Sequence, residues 1–201
     1  MTQAQAKLYS LQPCMKELER FYRFLNGKFK LGLPENVVIT IQSKGRKKAM
    51  AWFKANAWQN GEEPEIHEIN IAAEHLTDHP YESLTHEIAH LCEFKKTKGK
   101  SVCGSSNYHT TVFRTFAESF GLKVEKTKYG WSQTSEGEQF EKTLLEFKPE
   151  SKLFEILRQQ PQESKQATRM HKWQCGCTIV RCAKDLDAVC AACGDKFEEG
   201  D

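Results

Sequence analysis

No run in this 201-residue chain approaches eighteen consecutive apolar residues, so no membrane-spanning helix is expected. The first sixteen residues lack an apolar core and a cleavage pattern, so no secretion signal is expected. The expected compartment is the cytoplasm, with association to a nucleoid left open. Net charge is also scarce: it is only +2 although 28% of the residues are charged, which reads as a soluble globular chain. Eight cysteines are present, five of them crowded into residues 175–193. Without a secretion signal, that crowding favours metal ligation over disulfides. The length suffices for one good core plus a small appendage.

The strongest motif is His86-Glu87-Ile88-Ala89-His90, an H-E-x-x-H. Residues four apart share a helix face, so His86 and His90 can present imidazole nitrogens to one metal. Glu87 is placed to reach a water at that metal as a general base without being a ligand. The surroundings are helical. Thr77 or Asp78 can cap the start, Pro80 suits the first turn, and Leu84, Ile88 and Leu91 recur at three- and four-residue spacing.

Upstream, Cys14, Leu18, Phe21, Leu25 and Phe29 predict a core-facing helix over about 13–30, stopped by Gly32 and Pro34. Three strands are expected next. Val37, Ile39 and Ile41 mark the first, Ala49 to Trp58 the second, and Glu65 to Ile71 the third, with turns at Lys44–Lys48 and Asn60-Gly61. An antiparallel sheet followed by the H-E-x-x-H helix is the order of a zinc metalloprotease domain, in which an edge strand can hold an extended peptide. The expected class is therefore α+β, zincin-like.

A catalytic zinc takes a third protein ligand and keeps a fourth position open. Lys95 to Asn107 reads as a polar loop, followed by a helix from Tyr108 to Phe120. His109 and Glu118 are the candidate ligands there, since Lys96 stands where a compact metzincin pattern would need histidine. On a helix, His109 shares a side with Phe113, Phe116 and Phe120, whereas Glu118 is half a turn out of phase, so His109 is preferred. Tyr108, Tyr81 and His79 are candidates for stabilising an oxyanion. Beyond them, Phe140, Leu144, Phe147, Leu153, Phe154 and Leu157 predict one or two covering helices over about 136–158. A polar linker is expected over 159–170.

Cys175-Gly176-Cys177 and Cys190-Ala191-Ala192-Cys193 are two close pairs, the pattern of a ribbon folded around one structural zinc over 171–201. Cys182 competes with Cys177 as a ligand. Trp173, Ile179, Val180, Val189 and Phe197 are expected to form a thin apolar layer. Cys14, Cys92 and Cys103 look like ordinary free thiols.

Leu84 to His90, Tyr108-His109-Thr110-Thr111-Val112-Phe113 and Ala117 to Leu122 together resemble the SprT-like zinc metalloprotease family. Glu68-Ile69-Asn70-Ile71 and Tyr129-Gly130-Trp131-Ser132 fit it too, so the likeness runs from about residue 14 to the end. Within the family the chain is similar to the short microbial and phage-type branch related to Spartan, a DNA-dependent protease of DNA–protein crosslink repair. It departs from Spartan in having Tyr108 and Thr110 where Spartan has glycines. The resemblance implies two zinc ions. The catalytic one would sit on His86, His90 and His109 with Glu87 as base, and the structural one on Cys175, Cys177, Cys190 and Cys193. It also implies protein substrates held on DNA.

The residues give DNA binding, single-stranded DNA first, only modest support. Lys44, Arg46, Lys47 and Lys48 form one basic cluster and Lys95, Lys96, Lys98 and Lys100 another. Residues 159–201, however, carry six basic against seven acidic side chains. The rival reading is a non-enzymatic, nucleic-acid-binding zinc-ribbon or adaptor protein whose histidine site is structural. Retention of Glu87 argues against it, because a structural site has no use for a base.

Overall fold

The computed structural model describes residues 8–43, 49–61, 65–99, 108–159 and 170–200. The basic stretch Lys44–Lys48, Lys100 to Asn107 and most of the expected linker lie outside the described residues. The chain divides into two units, Met1–Gln160 and Pro161–Asp201.

The first unit is α+β. Helix α1 (Gln12–Lys28) starts with Pro13 in its first turn and buries Cys14, Leu18, Phe21 and Leu25 of the expected stripe, with Tyr22 beside them, whereas Phe29 follows the helix end and is only partly buried. Strands β1 (Val37–Gln42), β2 (Ala51–Trp58) and β3 (Ile66–Ala72) form one sheet in the order β1-β3-β2. This corrects the antiparallel expectation: β2 and β3 are antiparallel, but β1 and β3 are parallel. The cause lies in burial. All but the first residue of β3 is buried, so it takes the centre, while the partly exposed β1 and β2 take the edges. The β2–β3 ladder is regular from Ala51↔Ile71 to Lys54↔Glu68. It then breaks, and three residues of β2 (Ala55, Asn56 and Ala57) stand against one of β3 (His67) before Trp58↔Ile66. Asn56 takes a φ of 52° in that bulge.

Helix α2 (Pro80–Lys96) carries the H-E-x-x-H motif and is buried around most of its circumference. Leu84, Ile88 and Leu91 are at most 1% exposed. Each such side chain contributes roughly 1.5–3 kcal/mol. Its cap differs from expectation. Neither Thr77 nor Asp78 caps it; His79 occupies the position with a left-handed backbone (φ 51°), and no side chain accepts from the helix start. The helix also runs through Lys95 and Lys96, which the sequence pattern places in the polar loop. The Thr85 hydroxyl donates to the Tyr81 carbonyl (2.7 Å), so this buried polar group is paired within the helix.

Helix α3 is shorter than predicted, Thr111–Ser119, because the Thr110 hydroxyl accepts from the Val112 and Phe113 amides and fixes the start. His109 is therefore outside the helix. A second sheet, missed in the sequence, follows as a hairpin of β4 (Leu122–Thr127) and β5 (Gly130–Glu136). Helix α4 (Glu138–Phe147) and a 3-10 turn (Ser151–Glu155) close the unit. Phe21, Tyr81, Phe147 and Phe154 form an aromatic cluster that joins α1, α2, α4 and that turn, with centroids 4.7–5.8 Å apart.

The second unit is a three-stranded antiparallel sheet in the order β7-β6-β8, from β6 (His171–Gln174), β7 (Ile179–Cys182) and β8 (Glu198–Gly200). The expected apolar layer does not form. Ile179 is 61% exposed, Val180 40% and Val189 64%, and only Trp173 and Phe197 are partly buried. Three strands this short cannot cover both faces of their sheet. Among the described residues, no helix is long and apolar enough to cross a membrane.

Candidate metal centres

The structure brings His86, His90 and His109 together with their ligating atoms within 4.8 Å of one another. His86 Nε2 and His109 Nε2 face each other at 3.1 Å. Zinc–nitrogen bonds of about 2.0–2.1 Å at tetrahedral angles put ligand nitrogens about 3.3 Å apart, so the pair fits a zinc ion. Phe113, fully buried, lies under all three rings with centroids 4.3–4.8 Å away. Burial presses the His86 imidazole well below its ordinary pKa, helped by His90 and His109. Burial and then His109 bring His90 down to about 3. Neutral imidazoles are the form that binds metal.

His109 reaches the site by a different route from the helical phase argument. It bridges to Gly130: its amide donates to the Tyr129 carbonyl (2.9 Å) and its carbonyl accepts from the Trp131 amide (3.1 Å). Gly130 has a φ of 76°, and a Cβ there would overlap the His109 carbonyl, so glycine is required by both backbone and space. Glu118, the rival ligand, is exposed and pairs with Arg114 (2.7 Å) away from the histidines.

Side chains from other parts of the fold face His86 Nδ1 and His90 Nδ1. His86 Nδ1 lies 3.1 Å from Thr134 Oγ1, and the Thr134 hydroxyl donates to Glu82 (2.6 Å). Glu93, fully buried, places a carboxylate oxygen 3.6 Å from His90 Nδ1 and accepts from the Thr110 hydroxyl. Sequence reasoning missed Thr134, Glu82, Glu93 and the scaffold role of Gly130. Only Glu82 and Glu93 carried any signal, as acidic residues one turn before His86 and three residues after His90.

In front of the histidines opens a cleft of about 880 Å³. Residues 49–54 line one wall, including the start of β2; Thr127 to Tyr129 and Ser132 to Thr134 line the other. Glu87 is in the lining, 5% exposed, and is not one of the three grouped ligand donors. Of the oxyanion candidates, Tyr81 is excluded, because its hydroxyl donates to Glu17 in the core (3.0 Å). His79 pairs with Glu136 (3.0 Å), and Tyr108 is half exposed outside the cleft lining.

In the second unit Cys175, Cys177, Cys190 and Cys193 form the other group of potential ligands. Their sulfurs stand 3.6–3.7 Å apart along three edges. A zinc tetrahedron with bonds of about 2.3 Å has edges of about 3.8 Å, so this set fits zinc as well. Cys182 lies in β7 opposite His171 and outside the group, which resolves its competition with Cys177. Backbone amides of Cys193 and Ala192 pull the Cys190 thiol down to about 6, toward the thiolate that metal binding requires.

Comparison with family models, curated proteins and solved structures returned no match.

Proposed function

We propose that the first unit is a zincin-like domain and a zinc-dependent endopeptidase of SprT-like type, acting on proteins associated with or crosslinked to DNA. One observation carries this reading: three buried-side imidazoles meet at the floor of an open cleft that also holds Glu87 and is walled by a sheet edge. A purely structural site would be closed.

When bound, zinc supplies Lewis-acid polarisation of a carbonyl and acidifies water. His86, His90 and His109 hold it. Glu87 takes the proton of the attacking water on its carboxylate and delivers it to the leaving amine nitrogen. Strand β2 is an edge of its sheet among the described residues, so an extended peptide can lie along Ala51–Lys54 beside the histidines. The cysteine ribbon serves as a separate docking module, and single-stranded DNA is the proposed activator.

The test compares wild type with Glu87→Gln at matched zinc content, with and without single-stranded DNA, scoring cleavage of a DNA-bound protein on gels. The wild type should cut, and the variant should be about 10²–10⁴-fold slower. If both carry zinc and neither cuts in any condition, the peptidase reading fails and the adaptor reading replaces it.

A further inference from the structure

An imidazole binds metal through one nitrogen only if its proton sits on the other, so the group facing that other nitrogen sets the ligand. For His86 that group comes from forty-eight residues away. Thr134 on β5 places its oxygen 3.1 Å from His86 Nδ1, and its own hydroxyl hydrogen goes to Glu82 Oε1 at 2.6 Å. A carboxylate only accepts, so the hydroxyl is committed to Glu82. The Thr134 oxygen can then only accept, which puts the His86 proton on Nδ1 and leaves the Nε2 lone pair facing His109. Glu82 stands one helical turn before His86 on the same face of α2, so helix and hairpin close the relay together.

We propose that Thr134, backed by Glu82, is the positioning residue of His86, fixing its tautomer and ring angle for the metal. The inference rests on reading His86, His90 and His109 as a metal site. The same hairpin pins His109 through Gly130, so β4–β5 contributes no ligand of its own yet places two of the three.

The test uses the full chain loaded with cobalt(II), which separates the two sites, since thiolate ligation gives charge-transfer absorption and imidazole ligation does not. Thr134→Val keeps the shape and removes the hydroxyl. Its affinity for cobalt at the imidazole site should fall about 10–100-fold, with the thiolate site unchanged. Thr134→Ser should restore both the affinity and the ligand-field spectrum. Thr134→Val binding as tightly as wild type, or Thr134→Ser failing to restore binding, overturns the relay. His109→Ala is the separate control: if it keeps the imidazole-site spectrum, the metal site beneath the proposal is itself wrong.

Discussion

The two units each gather a compact set of potential metal ligands, but they stand on opposite foundations. The histidine set rests on Phe113 and on a core of fully buried side chains from α1, α2, β3 and α3. The cysteine set has almost nothing beneath it: Cys190 is the one buried hydrophobic of its unit among the described residues. In the first unit the fold makes the metal site. In the second, almost no core underlies the cysteines, so a metal held there would supply the folding energy. An open site on a self-sufficient scaffold suits chemistry, whereas a closed thiolate set in a coreless segment suits structure.

The comparison breaks most visibly at the cysteines. Cys190→Ser, or zinc removal by a strong chelator, should abolish protection of residues 171–200 in hydrogen–deuterium exchange while leaving helices α1 and α2 protected. Retained ribbon protection without metal would erase the contrast. The next effect is in the other unit. Phe113→Ala should destabilise it by about 3–5 kcal/mol in denaturant titration and weaken the imidazole site with it, because the ring underlies all three ligands. The ribbon should not respond.

Acid gives a more gradual effect. In the metal-free protein the His86 and His90 pKa values are depressed on folding, His90 to about 3, while unfolded histidine titrates near ~6.5. The unfolded state therefore binds more protons below that value. Stability of the first unit is complete above pH ~6.5 and falls as the pH drops toward the folded values, by up to about 1.4 kcal/mol per pH unit for each group. Thermal melts of chelated protein from pH 7.5 to 5 check the slope, and His90→Gln should reduce it. A flat profile would mean that these rings titrate in the folded state as they do in the unfolded one, and that folding does not depress them.

What was legible in the sequence was what repeats locally. The α1 stripe, the α2 motif with Pro80 in the first turn, and the two cysteine pairs are each encoded within one or two turns of chain. What was not legible depends on distant partners. The parallel pairing of Val37–Gln42 with β3 cannot be read from alternation, which is the same for either direction. Strands β4 and β5 escaped because Lys123, Glu125, Ser135 and Gln133 leave too little apolar alternation, being exposed on one side. His109 was singled out by treating it as helical, yet the structure sets it before α3, held by a backbone bridge to Gly130. The ribbon failed differently: its apolar residues were counted as a layer, but three short strands offer nothing to cover them.

The irregularity in β2 has a consequence for self-association. A free sheet edge is a template for any extended chain, including a second copy of the same protein. Here the straight part of the edge ends at Lys54, an exposed cation, and the strand then kinks through the bulge at Asn56. Four residues of regular ladder can receive a short segment of unfolded polypeptide. They are too few, and too abruptly bent, to propagate a sheet from molecule to molecule. The bulge thus limits edge-to-edge aggregation along β2.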